Sequence, residues 1–370
     1  MLIALNLLYL IPGVVGGTET YARSLINALA RQDSDNEYAV FLSKEAADLD
    51  VTPAPNFRRV VCPVVAMRRA ARYSWEQGVL PLQLLRENPA LVHSLGYVSP
   101  LAARGPQVVS VHDVNYLGHT GRRTAIGRRA FRFFVERTVK RADRVITISE
   151  FSRGEIIRHM DVPGDKVQVI HLAGREVENG SAAPVPPSEI QRNIGRPYIM
   201  AFSSLSAHKN IGRLVAAFRK ISASVPHALV LVGHMPEKNA ARSEIESTGD
   251  DRIVFTGHLP DAEVESLMQN ASLFAFPSLY EGFGMPVVDA QNAGVPVACS
   301  SAGALPEVAG EGAVVFDPLS VDEMATALQR CLLDMDLRLT LVANGYENAK
   351  RFSWDKTARE TLDVYSAVTS

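Results

Sequence analysis

Leu273-Phe274-Ala275-Phe276-Pro277-Ser278-Leu279-Tyr280-Glu281-Gly282-Phe283-Gly284-Met285-Pro286-Val287-Val288-Asp289-Ala290 reads as a strand, a glycine-bearing loop and the opening of a helix. Leu273–Phe276 is short and wholly apolar, as expected of a strand covered on both faces of a parallel sheet. Gly282 and Gly284 let the backbone turn tightly and approach a bound molecule closely. Pro286 suits a first helical turn, and the N-terminus of that helix favours an anion. Glu281 and Asp289 stand eight residues apart, with Asp289 about one turn inside the helix. One carboxylate can hold sugar hydroxyls while the other grips a ribose. Val287 occupies the place of the third glycine in G-x-G-x-x-G, so this is not the dinucleotide fingerprint.

Working outward, the same strand–loop–helix unit recurs on both sides. Tyr198–Phe202, Ala228–Val232 and residues 253–256 precede it as apolar runs; residues 295–298 and Ala313–Phe316 follow, with helical stretches between. An earlier series places strands at residues 2–8, 38–42, 59–65, 91–93, 108–111 and 145–148. Residues 18–30 set Tyr21, Leu25, Ile26 and Leu29 on one helical face. Between the series, residues 173–196 hold Pro184, Pro186 and Pro187 with little periodicity and read as a linker. A chain of 370 residues exceeds one ordinary domain. The expected fold class is α/β, two doubly wound Rossmann-like domains facing a cleft. Their boundaries fall at residues 1–172 and 197–352, with the linker at 173–196.

Ligands of doubly wound sheets bind at the carboxyl ends of the strands, so those loops carry the candidate site. Gly16 and Gly17 lie between the first strand and first helix, where glycine permits close approach and a helix N-terminus favours anions; Thr18 is the expected N-cap. His112-Asp113 ends the strand at 108–111. A neutral imidazole there can bond a sugar hydroxyl, with Asp113 orienting it. After Tyr198–Phe202 come Ser203, Ser204 and then His208-Lys209-Asn210. A cation such as Lys209 near a helix start can neutralise a diphosphate. No G-x-x-x-x-G-K-[ST] loop occurs.

Composition narrows the alternatives. An apolar fraction of 47% with 21% charged residues suits two soluble cores. Residues 1–172 hold 22 Lys and Arg against 16 Asp and Glu, a net +6; residues 173–370 hold 16 against 24, a net −8. Nine cations fall in residues 122–144, where Phe131, Phe134, Thr138 and Ala142 line one face. That basic amphipathic helix can lie on an anionic lipid surface or be simply solvated. Cys62, Cys299 and Cys331 form no CxxC pair, which fits a reducing cytoplasm. The apolar start, residues 1–10, reads as a buried strand and not a signal peptide. Three D-x-D triplets, at Asp33, Asp48 and Asp334, read as solvated charge in turns or on a helix surface, so no metal site is expected. Nothing points to nucleic-acid readout or a nucleophilic triad.

Taken in order, Gly16-Gly17-Thr18-Glu19, His112-Asp113, His208-Lys209-Asn210 and Glu281-Gly282-Phe283-Gly284-Met285-Pro286 resemble the retaining GT-B glycosyltransferases of family 4. The resemblance runs to the closing Phe352-Ser353-Trp354-Asp355, and implies that a last helix, residues 353–370, returns to complete the first, acceptor-binding domain, while the second binds the nucleotide-sugar. It implies that Lys209 holds the donor diphosphate. Glu281 and the backbone of Phe283, Gly284 and Met285, ahead of Pro286, hold the transferred sugar. His112 contacts the same sugar, and Gly16-Gly17 lie near phosphate and acceptor. The family's E-x7-E signature is Glu281-x7-Asp289 here, and His208 stands where Arg is common. The implied reaction is retaining transfer, without metal or cofactor, of mannose from GDP-mannose. The implied acceptor is a polyprenyl-diphosphate-linked oligosaccharide of bacterial surface polysaccharide synthesis, at the inner face of the membrane. UDP-sugars, dTDP-rhamnose and GDP-fucose remain open as donors, as does a GT-B-fold nucleotide-sugar epimerase. A nicotinamide-dependent oxidoreductase lacks its glycine fingerprint.

Overall fold

The computed structural model describes residues 1–117, 125–175, 189–204, 206–234, 240–247 and 249–370. The chain forms two compact units, Met1–Leu172 with Ser353–Ser370, and Ala173–Phe352. Each is a doubly wound α/β unit, the fold class the sequence implies.

The first unit holds seven parallel strands: β1 (Leu2–Leu7), β2 (Glu37–Leu42), β3 (Phe57–Val61), β4 (Leu91–Ser94), β5 (Gln107–Ser110), β6 (Arg144–Thr147) and β7 (Val167–Val169). Their order is β3-β2-β1-β4-β5-β6-β7. Its helices are α1 (Gly17–Gln32), α2 (Arg69–Ser74), α3 (Leu80–Glu87), α4 (Ala125–Arg141) and α5 (Glu150–Met160), with a π-helical turn, Trp75–Val79, joining α2 to α3. The second unit opens with α6 (Glu189–Ile194). Its strands are β8 (Tyr198–Phe202), β9 (Ala228–Val232), β10 (Ile253–Gly257), β11 (Leu273–Phe276), β12 (Val297–Ser300) and β13 (Ala313–Phe316), in the order β10-β9-β8-β11-β12-β13. Around them lie α7 (Ile211–Ile221), α8 (Ala240–Glu246), α9 (Asp261–Gln269), α10 (Met285–Asn292), α11 (Leu305–Ala309), α12 (Val321–Leu333) and α13 (Met335–Ala349). The last helix, α14 (Trp354–Thr369), belongs to the first unit.

Parallel neighbours need crossover connections, and here helices supply them on both faces. That explains why the central strands are buried along their length: β9, β11 and β12 have no exposed residue. Strand order reverses between β1 and β4 in one sheet and between β8 and β11 in the other. Those two gaps are the topological switch points, where such sheets leave a crevice for ligands.

Several boundaries differ from the sequence expectation for identifiable reasons. The strand expected at 59–65 is Phe57–Val61, because Pro63 has no N–H to continue the ladder. The strand expected at 295–298 is Val297–Ser300: the Val295 N–H bonds back to Ala290 O, and Pro296 has no N–H. The short edge strand β7 shows only three residues, one of them Gln168, too little alternation to read from sequence. Gly16, not Thr18, caps α1; the Thr18 hydroxyl donates to Val15 O at 2.9 Å. Asp33 is not solvated. It is buried and accepts from the Tyr38 hydroxyl and from Asn36 Nδ2 at 2.8 Å, tying the end of α1 to β2. Asp334 caps α13 by accepting from Leu337 N at 3.0 Å. Most of the linker, residues 176–188, lies outside the described residues, as do Arg122 and Arg123.

The return of α14 is fixed by polar contacts. Ser353 caps it, Thr357 Oγ1 donates to His171 O at 2.7 Å, and Asp355 pairs with Arg31 at 2.9 Å. Tyr365 OH lies 2.6 Å from His93 Nδ1 in the interior.

Candidate functional site

At the β8/β11 switch point, the loop that follows β8 is held by the end of β9 and by its own serines before it meets the loop that follows β11. Ser203 N donates to Val232 O at 2.7 Å, and Ser206 N to Ser204 Oγ at 3.2 Å. A single 3-10 turn, Ala207–Lys209, leads to Asn210, whose φ of 58° is left-handed. Asn tolerates that conformation better than most residues. Its buried amide donates to Pro277 O at 3.1 Å and Pro318 O at 2.8 Å. Leu279 N donates to His208 O at 2.7 Å. The loop carrying Lys209 is therefore bolted to the loop carrying Glu281.

The result is a charge pair. Lys209 Nζ lies 2.6 Å from Glu281 Oε1 and 4.8 Å from the centre of the Phe276 ring beneath it. Charge-assisted bonds of this length orient both partners, and both side chains are half-buried at the carboxyl end of the sheet. Gly303 supports Glu281 from behind. Its φ is +66°, and a Cβ there would lie 2.5 Å from Glu281 O. Gly284 has φ +100° and caps α10; a Cβ would lie 2.6 Å from Leu305. Phe283 is buried against Phe352, so only its backbone is available to a ligand. Met285 and Pro286 form the first turn of α10.

Asp289 is engaged elsewhere. Its Oδ1 accepts from Arg175 N at 2.6 Å, and Gly174 packs so closely that a Cβ would lie 2.7 Å from that oxygen. Among the described residues its other oxygen takes no hydrogen bond. Burial pushes the carboxyl up to about 6, against the lowering effect of Arg175.

In the first unit the glycine loop is braced by Glu19. Its carboxylate accepts from Gly13 N at 2.7 Å and from Arg23 Nε at 3.0 Å. Gly16 has φ 58° and open space around its α-carbon, and Gly17 begins α1. His112 lies just past β5, buried, with Tyr21 packed edge-on at 4.6 Å. Its Nε2 sits 3.4 Å from Leu95 O. A carbonyl only accepts, so Nε2 carries the proton and Nδ1 is left as an acceptor. Burial lowers its pKa to about 4, so the ring is neutral near pH 7. Leu95 and Tyr21 orient the ring; Asp113 Oδ1 accepts from Asn115 N at 3.0 Å.

Sequence reasoning missed the polar chain beneath His112. Tyr365 OH, His93, Ser110 Oγ and Tyr21 OH are linked at 2.6, 2.9 and 2.8 Å. Burial lowers His93 to about 3. The available signal was a histidine closing an apolar strand, the same signal that singled out His112. A second omission lies at the β1/β4 switch point, where Asn6, Arg72 and Glu76 form a buried cluster. Among the described residues, no three His, Cys, Asp or Glu side chains gather to hold a metal ion, and no helix is long and apolar enough to cross a membrane.

Two family profiles match the chain, Glycosyltransferase Family 4 over residues 15–173 and Glycosyl transferases group 1 over residues 187–348. The chain belongs to the family 4 glycosyltransferases. One profile covers the loops of the first switch point and the other those of the second. Over 230 residues this glycosyltransferase is 30% identical to the O-antigen chain mannosyltransferase B of Escherichia coli, covering 60% of each chain. It is 29% identical over 236 residues to the serotype-specific mannosyltransferase WbdA of Escherichia coli, covering 61% of this chain and 29% of that one. The matched stretch thus spans 60% or less of these relatives. Its fold is that of GT-B proteins: a sucrose-phosphate synthase from Thermosynechococcus elongatus superposes with a TM-score of 0.77 at 22% identity, over 99% of this chain and 98% of the other.

Proposed function

We propose that this protein moves a hexosyl group, mannose from GDP-mannose, onto an acceptor hydroxyl with retention of anomeric configuration. The observation that carries the reading is the Lys209–Glu281 pair, at 2.6 Å, on the switch-point loops of the second unit. A cation and a carboxylate side by side beside the N-terminus of α10 match the two halves of a nucleoside-diphosphate sugar. Lys209 neutralises the diphosphate as it departs, and preorganised charge of this kind is the largest contribution in many enzymes. Glu281 accepts from sugar hydroxyls.

In the reaction the bond from the anomeric carbon to the diphosphate oxygen breaks, and its electron pair leaves with the diphosphate. The acceptor oxygen attacks the same face, and its proton passes to the departing phosphate oxygen. The second unit binds the donor and the first binds the acceptor. The names of the two Escherichia coli relatives favour mannose as the sugar and a surface-polysaccharide chain as the product; a lipid-linked oligosaccharide as the acceptor is what the family resemblance implies. Such an acceptor calls for a protein that works at the inner face of the membrane.

A thermal-shift screen of nucleotide-sugars tests the donor, since a ligand that binds only the folded state stabilises it by mass action. GDP-mannose is expected to raise Tm most. A larger shift with a UDP- or dTDP-sugar overturns the mannose assignment. No shift with any nucleotide-sugar overturns the transferase reading itself. The anomeric configuration of the product, read by NMR, decides retention.

A further inference from the structure

The first unit has its own switch point, between β1 and β4, and what fills it is polar. Asn6 near the end of β1 donates through Nδ2 to Ser94 Oγ at the end of β4, 3.1 Å away, and to Glu76 Oε1 at 2.7 Å. Its Oδ1 accepts from Leu8 N at 3.2 Å, which settles the orientation of the amide. Glu76 is thus held by one oxygen. The other, Oε2, faces Arg72 Nε at 4.0 Å, a distance too long for a hydrogen bond.

Both charged groups are buried, with side-chain exposures of 11% for Arg72 and 4% for Glu76. Arg72 Nε has no hydrogen-bond partner, although it is shielded from solvent. The guanidinium rests on the Tyr73 ring at 4.5 Å. Trp75 Nε1, between them in sequence, is buried and faces the Cys62 thiol. Buried polar atoms are nearly always bonded, so the orphaned Arg72 Nε points to a missing partner. Burial raises the Glu76 pKa, against the opposing influence of Arg72 and Asn6.

The backbone explains how a glutamate reaches this crevice. Gly78 and Pro81 stand where α2 would otherwise run straight into α3. Pro81 has no N–H and crowds the carbonyl four residues earlier. The turn widens, and Leu80 N bonds to Trp75 O, five residues back. Such π turns recur at functional sites, and this one carries Glu76 to Asn6.

We propose that Arg72 and Glu76 form the subsite for the acceptor sugar, binding two adjacent hydroxyls of a neutral glycoside. The guanidinium donates to one hydroxyl and Glu76 Oε2 accepts from the other. A single Arg faced by a carboxylate carries little net charge, which suits a neutral diol better than an anion. The proposal rests on the reading of the first unit as the acceptor side.

Saturation-transfer NMR on the full chain tests it, with methyl α-mannoside as probe and inorganic phosphate as the anionic alternative. Arg72→Met and Glu76→Gln are compared with wild type; Gln keeps an oxygen for Asn6 and so preserves the fold. Each variant is expected to weaken glycoside binding about tenfold or more, the scale of one hydrogen bond to a charged group. The thermal shift given by the nucleotide-sugar donor is expected to stay unchanged. Unaltered glycoside binding by folded Glu76→Gln, no saturable glycoside binding by wild type, or capture of phosphate in its place overturns the subsite. Loss of the donor shift in wild type would instead sink the transferase reading.

Discussion

Glu281 Oε1 accepts a hydrogen bond from Lys209 Nζ at 2.6 Å, across 72 residues of sequence. Neither side chain is redundant if that pair receives the donor. Replacing Glu281 with Ala removes a preorganised contact and leaves a half-buried ammonium alone over Phe276. Transfer is expected to fall at least ~100-fold, the scale for losing one such group. Glu281→Gln should lose less, because the amide oxygen still accepts. Steady-state rates on folded variants decide, and near-normal turnover by Glu281→Ala refutes the assignment.

Gly303 makes a prediction about shape alone. At φ +66°, with Glu281 O 2.5 Å from the site of a Cβ, alanine is both strained and obstructed. Gly303→Ala should cost about 1–3 kcal/mol of stability, and the loop that must shift is the one bearing Glu281. Denaturant titration together with the transfer rate tests this. Unchanged stability and rate would mean that the loop yields freely.

Acid should destabilise the first unit. His112 and His93 have folded pKa values lowered to about 4 and about 3, while an unfolded histidine titrates near 6.5. The unfolded chain then binds more protons below about pH 6.5, so stability is lost as the pH falls from there toward 4. Asp289 works the other way. Its pKa is raised to about 6 from 3.8, so its contribution is present at low pH and lost as the pH rises through 6. Urea titrations at pH 7 and 5 should show lower stability at pH 5. That loss should shrink in His93→Gln and deepen in Asp289→Asn. A pH-independent midpoint in wild type would contradict the histidine assignment, and an unchanged loss in Asp289→Asn would contradict the carboxyl one.

The strand–loop–helix units and both switch-point loops were legible because each pairs an unbroken apolar run with glycine, proline or a charged residue at its end. Lys209 and Glu281 could be picked out separately, but their pairing depends on Asn210 and Leu279 bonding the two loops together. His93 and Tyr365 lie 272 residues apart, and no local pattern links them. Asn6, Arg72 and Glu76 escaped notice because a π turn moves Glu76 off the helical periodicity. Asp33 looked like a solvated turn residue, yet the turn between α1 and β2 folds Asn36 and Tyr38 back over its carboxylate. Local chemistry was readable, and partnership across the sheet was not.

Transfer should not need a divalent cation. Of the three D-x-D triplets, Asp33 bonds within the protein and Asp334 caps a helix, while Asp48 and Asp50 are exposed beside the turn that follows β2. Lys209 can balance diphosphate charge without a metal. Activity is expected to persist in EDTA. Complete loss in EDTA, restored by Mn²⁺ or Mg²⁺, would show that a metal carries that charge.

The basic helix α4 should hold the protein to anionic membrane. Its inner face is the one expected, with Phe131 and Thr138 buried, Phe134 partly buried and Ala142 buried just past its end. Its outer face carries Arg128, Arg129 and Arg132, along with Ile126 at 81% exposure and Phe133 at 50%. Arg132 also pairs with Glu136 at 2.6 Å, which diminishes its attraction for an outside anion. Each cation near an anionic surface is worth ~1 kcal/mol, and exposed apolar side chains add burial at the lipid boundary. Three or four engaged residues give measurable association, which should fade with salt because exposed charges are screened over ~8 Å at physiological ionic strength. The competing account leaves these cations solvated. Flotation with neutral and anionic liposomes separates the two, using wild type and Arg128→Glu/Arg129→Glu/Arg132→Glu. Wild type should float with anionic vesicles only, and the triple variant with neither. Equal flotation of both proteins on both vesicle types would remove the membrane contact.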